Sequence, residues 1–204
     1  MNFNGFYFIT DSRLSRQGIV RDVEDAIRGG ATIIQYREKE KDTGPMIEEA
    51  REIKGVCRGK AAFLINDRVD VCLAVDADGL HLGQTDMGYK DARRLLGDKI
   101  IGITVHNLKE AKAAEAMGAD YVGVSPIFET KTKADAGPAA GLETLKEIAQ
   151  NLAIPVVAIG GITLENAKSV MEAGATTLCA MSATIGEDVG RRVRAFTNII
   201  NASK

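Results

Sequence analysis

Short apolar runs recur along the chain at regular intervals, and each has the length and composition of a β-strand. Eight such runs predict eight strands, at residues 6–10, 32–36, 62–66, 79–82, 100–104, 121–124, 156–159 and 177–181. Runs such as Val156–Ile159 are apolar without alternation, which is typical of strands that are covered on both faces. The pattern therefore predicts a parallel sheet.

Between these runs, apolar residues repeat every three or four positions, as one face of a helix requires. One such face is formed by Ile47, Ala50, Ile53 and Cys57. A Gly-Ala pair stands before strands two, six and eight, where glycine suits the left-handed residue that ends a helix. Helices are predicted to start at Asn107, three residues before Glu110 in a capping-box arrangement, and at Thr163.

Strand and helix therefore alternate eight times, which predicts an α/β fold of the (β/α)8 TIM barrel type. An open doubly wound sheet is the alternative, but it normally carries a G-x-G-x-x-G turn after its first strand. Thr10-Asp11-Ser12-Arg13 stands there instead. A length of 204 residues suits one sizeable core, so we expect residues 1–204 to form a single compact catalytic domain.

The charge balance argues against a nucleic acid partner. Lys and Arg total 26 against 28 Asp and Glu, so the chain lacks the basic excess that binding to a nucleic acid backbone needs. The spacing of Cys57, Cys72 and Cys179 matches neither a zinc site nor a disulfide framework, and predicts buried thiols in a reducing compartment. There is no signal-peptide pattern and no apolar run near the roughly 18 residues of a membrane span. We expect a cytoplasmic protein without a nucleic acid or membrane partner.

Polar residues gather where the predicted strands end, at the face of a barrel that carries its chemistry and that we call the mouth. Asp67 and Asp86 follow strands three and four, beside Asn66 and Gln84. A small number of hard oxygen ligands suits Mg²⁺, which takes its remaining ligands from water and substrate phosphates. The alternative for Asp67 is an ion pair with Arg68 or a helix cap.

Cations follow strands two and six. They are Arg37, Lys39, Lys131 and Lys133, and the last two alternate with the hydroxyls of Thr130 and Thr132. This mixture suits a polyphosphate bridged by a metal, although Lys131 is also explained as a solvated surface residue. The loop over residues 125–141 is the longest after any predicted strand, and its glycines make a lid over bound phosphate a reasonable hypothesis.

Gly160-Gly161 after strand seven and Met181-Ser182 after strand eight stand where barrels often bind a phosphate monoester through backbone N–H groups. Glycine permits the close backbone approach that such binding needs, and tight packing of strand seven against its helix is the competing explanation. Together, these residues predict a mouth for two phosphorylated ligands, one of them bridged by a metal.

The ordered set of motifs resembles the thiamine-phosphate synthase family over nearly the whole chain. The motifs are Gln35-Tyr36-Arg37-Glu38-Lys39, Asn66-Asp67-Arg68-Val69-Asp70, Gly79-Leu80-His81-Leu82-Gly83-Gln84 with Asp86, Pro126-Ile127-Phe128 with Thr130 to Lys133, and Ala158-Ile159-Gly160-Gly161-Ile162. The resemblance implies an enzyme that joins (4-amino-2-methylpyrimidin-5-yl)methyl diphosphate to 5-(2-hydroxyethyl)-4-methylthiazole phosphate. Thiamine phosphate and pyrophosphate are the products, and a pyrimidine-methyl cation forms on the way.

The resemblance also implies roles for single residues. Gln35 and Thr104 would hold the pyrimidine, and Asn66 would assist at its diphosphate. Asp67 and Asp86 are the expected Mg²⁺ ligands. The expected catalytic residues are Arg37, Lys39 and Lys133. The expected substrate-binding set is Gln35, Tyr36, Arg37, Glu38, Lys39, Asn66, Thr104, Thr130, Lys131, Thr132, Lys133, Gly161, Met181 and Ser182, with the thiazole phosphate seated by Thr130, Thr132 and the backbone of Gly161 and Ser182.

The chain departs from the family pattern at two positions. Thr104 stands where serine is usual, which adds a methyl group beside the pyrimidine, and Glu129 replaces a frequent proline in the sixth loop. The alternative functions are a thiazole tautomerase of the sister branch and a non-catalytic barrel that binds phosphorylated ligands. The tautomerase branch uses a histidine after strand five, where His106 lies, but it tends to lose the carboxylates and the basic loop that are present here.

Overall fold

Eight parallel strands pair in chain order and close on themselves, with β1 beside β8, in a computed structural model that describes residue 3, residues 5–130 and residues 137–203. The strands are β1 (Phe6–Ile9), β2 (Ala31–Tyr36), β3 (Ala62–Asn66), β4 (Gly79–Leu82), β5 (Ile100–Val105), β6 (Tyr121–Val124), β7 (Val156–Ile159) and β8 (Thr177–Cys179). The predicted (β/α)8 barrel is confirmed.

Helices follow the strands throughout the part of the chain that the structure describes. They are α1 (Ile19–Gly29), α2 (Thr43–Cys57), α3 (Val69–Ala74), α4 (Tyr89–Leu96), α5 (Leu108–Met117), α6 (Gly141–Asn151), α7 (Ala167–Glu172), α8 (Met181–Thr184) and α9 (Val189–Ala202). Among the described residues, no helix combines the length and the apolar character needed to cross a membrane.

The predicted glycines at helix C-termini and the helix start at Asn107 are confirmed. Two other boundaries, a helix start and a strand end, are corrected. Glycine has a positive φ before β2, β6 and β8, and the Asn107 side chain caps α5 by accepting from the Glu110 N–H. The start at Thr163 is wrong, because α7 begins at Ala167 after a turn in which the Thr163 N–H donates to the Asn166 side chain. The eighth strand ends at Cys179, since Met181 opens α8.

The barrel has two cores, because successive strand residues point to opposite faces of the sheet. Outward side chains such as Phe6, Phe8 and Ile34 pack against the helices. On α2, Met46 rather than Ile47 completes the fully buried face. The barrel interior holds a smaller cluster made of Phe3, Tyr7, Ile9, Ile33, Leu64, Tyr121, Val157 and Cys179. Inward positions further along the same strands reach the mouth.

A Gly102→Ala variant tests how tightly the interior is filled. A Cβ at Gly102 would lie 2.0 Å from the Cζ atom of Tyr121, so a methyl group there must displace a fully buried ring. We expect the free energy of unfolding to fall by about 3 kcal/mol. Gly55→Ala is the matched control, because Gly55 is exposed on α2 with open space at its Cβ, and alanine there should add about 0.5 kcal/mol. Equal urea midpoints for the two variants would contradict this packing.

Candidate active site

Two adjoining cavities open at the mouth. The first is mostly apolar, and is lined by Ile9, Gln35, Arg37, Asn66, His81, Thr104, Ser125, Thr130, Ile159, Gly160, Gly161, Ile162, Cys179, Ala180, Met181 and Ser182. The second is polar, and is lined by Arg37, Lys39, Asn66, Asp67, His81, Gly83, Gln84, Thr85, Asp86, Thr104 and His106. Arg37, Asn66, His81 and Thr104 line both, so the two cavities meet at these four side chains.

The second cavity contains a pair of carboxylates in contact. Asp67 follows β3 with a φ of 60°, a left-handed backbone that turns its side chain into the mouth, and it pairs with Lys39 at 2.5 Å. The Asp86 carboxylate contacts that of Asp67 and accepts from the Gly83 N–H at 2.7 Å. The alternative for Asp67, an ion pair with Arg68, does not form: Arg68 pairs with Asp70 instead.

The carboxylate pair fits a divalent cation. Burial, and then the neighbouring Asp67 carboxylate, raise the pKa of Asp86 above its ordinary value, so negative charge at this point is under-compensated. No cluster of three or more His, Cys, Asp and Glu side chains that could hold a metal exists within the described ranges. Two carboxylates without an all-protein cage are the arrangement in which Mg²⁺ takes its other ligands from water and phosphate.

A buried ion pair fixes Arg37 where the two cavities meet. Arg37 Nη1 donates to Asp11 at 2.8 Å, and Arg13 binds the same carboxylate from the solvent side. The Asp11 side chain is 1% exposed and that of Arg37 is 14% exposed. Burial opposes the charge on Asp11, but the hydrogen bond and charge of Arg13, with the charge of Arg37, hold the pKa of Asp11 below its ordinary value. Sequence reasoning missed Asp11 as a partner of Arg37.

Tyr36 and Glu38 alternate with Gln35 and Arg37 along the same segment, and their side chains point away from the mouth. The Tyr36 hydroxyl donates to Glu49 on α2 at 2.7 Å, and neither Tyr36 nor Glu38 lines either of the two cavities at the mouth. Glu38 Oε1 accepts from Ser12 Oγ and from two backbone N–H groups, those of Lys39 and Glu40. Both side chains therefore have structural partners behind the mouth, and a substrate contact by Tyr36 or Glu38 stays a prediction.

A Glu38→Gln variant should show the structural role of this carboxylate. Burial raises the pKa of Glu38, but the donors around it lower it further, and the net direction is downward. The ionised form therefore adds stability that is present above about pH 4 and is lost as the pH falls through the lowered pKa. We expect the variant to lose about 2 kcal/mol at pH 7. Urea unfolding should show this deficit shrinking below pH 4.

Glu40→Gln provides the control for that experiment, because Glu40 is the exposed neighbour and contributes only its backbone N–H to Glu38. Its stability should stay within about 0.5 kcal/mol of the starting protein at every pH. A Glu38→Gln deficit that is independent of pH would contradict the assignment.

The glycine pair after β7 is explained first by close packing. Gly160 and Gly161 have φ values of 97° and 65°, and a Cβ at either would lie 2.6 Å from a side-chain atom of Pro126 or Phe128. The neighbour that comes close is therefore the segment after β6, and not the helix after β7 as the competing explanation had it. Gly161 still lines the first cavity, together with Thr130, Met181 and Ser182.

His106 lies at the start of α5 and borders the second cavity. Its backbone N–H and its Nδ1 both bind Glu110 Oε2, at 2.8 and 2.9 Å, next to the cap that Asn107 forms. Three of the expected site residues, Lys131, Thr132 and Lys133, lie outside the described residues, as does the middle of the sixth loop and its hypothesised lid.

Three polar residues inside the barrel were not predicted from the sequence to belong to the site. The His81 ring lies between Tyr121 and Thr104, with a distance of 2.8 Å to the hydroxyl of each, and it lines both cavities. Tyr7 and Tyr121 lie beneath it with hydroxyls 2.8 Å apart. A tyrosine within an apolar run is interpreted as a core residue, and a strand covered on both faces has no alternation that shows which of its residues point inward.

Known proteins resemble this chain over almost its full length. A family model described as thiamine monophosphate synthase matches residues 6–184. The thiamine-phosphate synthase of Methanosarcina barkeri is 52% identical over 201 residues, covering 98% of this chain and 91% of that protein. That of Chloroflexus aurantiacus is 50% identical, covering 95% and 92%. The solved structure of thiamine phosphate pyrophosphorylase from Pyrococcus furiosus has a TM-score of 0.92 at 41% identity, covering 99% and 98%.

Proposed function

The chain belongs to the thiamine monophosphate synthase family. We propose that, in that family's reaction, the second cavity at its mouth binds the diphosphate of one substrate, and the first cavity binds the pyrimidine ring and the thiazole phosphate. The reaction is a transfer: it joins (4-amino-2-methylpyrimidin-5-yl)methyl diphosphate to 5-(2-hydroxyethyl)-4-methylthiazole phosphate and releases pyrophosphate. One observation carries the proposal, namely that Arg37, Asn66, His81 and Thr104 line both cavities. A substrate between these four side chains can extend its diphosphate into the second cavity and face a partner in the first.

In the second cavity, Asp67 and Asp86 would hold Mg²⁺, in keeping with their contact and with the raised pKa of Asp86. When bound, the ion adds positive charge that stabilises the departing pyrophosphate. Lys39 and Arg37 line the same cavity, and their charges act on the same leaving group. Lys133 keeps its expected catalytic role as part of the proposal.

In the first cavity, Gln35 and Thr104 would hold the pyrimidine, and Asn66 would lie at its diphosphate. The thiazole phosphate would be seated by Thr130, Thr132, and the backbone of Gly161 and Ser182, with Lys131 and Met181 completing the set. The apolar wall that Ile9, Ile159 and Ile162 contribute favours burial of the two rings and the exclusion of water.

The bond changes need no covalent bond to the protein. The carbon–oxygen bond to pyrophosphate breaks first and its electron pair leaves with the pyrophosphate, and the thiazole nitrogen then donates its lone pair to the pyrimidine-methyl cation. Cys179 lines the first cavity, and burial raises its pKa to about 12, so it stays a thiol near neutral pH. We further propose that residues 1–204 act as one catalytic domain, and that three buried free cysteines reflect a cytoplasmic location.

The test is a product assay with purified protein and both substrates, with and without Mg²⁺. We expect thiamine phosphate and pyrophosphate in equal amounts with Mg²⁺, and a loss of both products when the ion is removed by a chelator and their return when it is added back. Turnover at the full rate without divalent ions would overturn the metal assignment. Absence of product from the folded protein would overturn the division of the reaction between the cavities.

A further inference from the structure

Five side chains form a continuous hydrogen-bonded chain across the barrel interior. Gln35 Nε2 donates to the Tyr7 hydroxyl at 2.7 Å, and the hydroxyls of Tyr7 and Tyr121 are 2.8 Å apart. The Tyr121 hydroxyl lies 2.8 Å from His81 Nδ1, and His81 Nε2 lies 2.8 Å from Thr104 Oγ1. Barrel interiors of this type are usually filled by branched apolar residues, so a polar chain at this depth needs an explanation.

The hydrogen bonds of these five side chains all run in one direction, because each hydroxyl has a single proton to donate. Burial raises the pKa of both phenols far above neutral pH, so both remain protonated. Tyr7 accepts from Gln35 and therefore donates to Tyr121, which in turn donates to His81 Nδ1. His81 then has its proton on Nε2 and donates to Thr104, whose own hydroxyl proton remains available for a ligand.

We propose that Tyr7 and Tyr121 are positioning residues: Tyr7 holds the amide of Gln35, and Tyr121 sets the tautomer of His81 and through it the hydroxyl of Thr104. At the Gln35 end, the amide Oε1 is the acceptor, and at the Thr104 end the hydroxyl is the donor. Both ends line the first cavity. An aminopyrimidine offers the complementary pair, with an exocyclic amino group that donates and a ring nitrogen that accepts.

The match to an aminopyrimidine rests on the proposed function. The direction of the hydrogen bonds does not, because it follows from the amide of Gln35 and the single protons of the two phenols. The two questions can therefore be tested by separate measurements.

The surrounding packing holds the rings of the chain in place. A Cβ at Gly102 would collide with Tyr121, and one at Gly123 would lie 3.2 Å from His81 Cε1, so glycines in β5 and β6 make room for both rings. Phe3 packs on the other side of Tyr121, with ring centroids 4.7 Å apart. A phenylalanine in place of either tyrosine therefore keeps the packing and removes only a hydroxyl.

Nitrogen-15 NMR of the imidazole rings tests the direction of the chain. The protein has two histidines, and a His106→Gln variant identifies which signals belong to His81. We expect the Nε2–H tautomer at His81, a shift away from it in Tyr121→Phe, and its retention in Tyr7→Phe, where Tyr121 can still donate. An Nδ1–H tautomer in the unaltered protein would overturn the proposal, because the chain would then run the other way. So would a tautomer that Tyr121→Phe leaves unchanged.

Steady-state kinetics then test the effect on the substrate. Tyr121→Phe and Tyr7→Phe should each raise the KM for the pyrimidine diphosphate about tenfold, the scale of one lost hydrogen bond, and leave the KM for the thiazole phosphate unchanged. Equal changes in both KM values, or no change in either, would overturn the positioning role. If the protein made no thiamine phosphate at all, the proposed function would fail while the NMR result remained readable.

Discussion

Replacing Asp67 or Asp86 with asparagine is expected to lower kcat/KM about a thousandfold, the largest effect of any single substitution in this mouth. The two carboxylates are in contact, and Lys39 pairs with one of them. Either replacement removes one charge from the pair that would hold Mg²⁺, and with it the main stabilisation of the departing pyrophosphate. Turnover at saturating Mg²⁺ measures the loss.

Asp70→Asn is the matched control, because Asp70 lies three residues after Asp67 but pairs with Arg68 outside the mouth and is half exposed. Its turnover should equal that of the unaltered protein. Stability separates lost chemistry from lost folding: the folded state disfavours the ionised form of Asp86, so without Mg²⁺ at pH 7 the Asp86→Asn protein should be at least as stable. Full activity in both Asp67→Asn and Asp86→Asn would contradict the account.

Replacing Arg37 with methionine is expected to lower kcat/KM about a hundredfold or more, the scale of one lost group that stabilises developing charge. Arg37 lines both cavities and is fixed by Asp11 at 2.8 Å. Its guanidinium can bind the carboxylate with one nitrogen and face a phosphate with another. A lysine has a single ammonium group, so Arg37→Lys should recover less than about a tenth of the lost rate.

Arg13→Met is the control for that loss, since Arg13 binds the same Asp11 carboxylate, is 53% exposed and lines neither cavity. We expect its kcat/KM to fall less than about fivefold, because Arg13 is the exposed partner and Arg37 still neutralises Asp11 when it is removed. Equal losses in Arg13→Met and Arg37→Met would show that the role of Arg37 is to hold Asp11, and would contradict direct action on the substrate.

Much of the fold could be predicted because barrel strands are short apolar runs between amphipathic helices. Seven of the predicted strands agree with the structure to within a residue at each end, and the eighth runs two residues too far, to Met181. The error has a physical reason: α8 begins directly beyond β8, so apolar character continues across the boundary. The helix start predicted at Thr163 is also wrong, because the Thr163 N–H donates to Asn166 in a turn before the helix.

Whether a predicted residue lines the candidate site depends on which face of its strand it occupies. Gln35, Arg37 and Thr104 point inward and line the first cavity, at the mouth where the sequence placed them, and their contacts with a substrate stay a prediction. Tyr36 points outward, but a strand that is apolar on both faces carries no alternation that reveals this from sequence. The same ambiguity concealed Tyr7 and Tyr121, whose hydroxyls matter only once the closed barrel brings two distant strands together.

Long-range pairing explains the other omissions. Asp11 follows β1 and Arg37 follows β2, and nothing local in the sequence links them. His81 stood within a recognised motif, but its role depends on the ring of Tyr121 and the hydroxyl of Thr104, which are 40 and 23 residues away along the chain. Contacts of this kind follow from barrel closure and strand register, which the linear pattern predicts only in outline.

We propose that Asp67 and Asp86 together hold the divalent cation at which pyrophosphate departs. Electron paramagnetic resonance with Mn²⁺ in place of Mg²⁺ tests it most directly, by counting bound ions in the presence of pyrophosphate. We expect the unaltered protein and Asp70→Asn to bind the ion in a pyrophosphate-dependent way, and Asp67→Asn and Asp86→Asn not to bind it. Undiminished Mn²⁺ binding by both of these variants would contradict it.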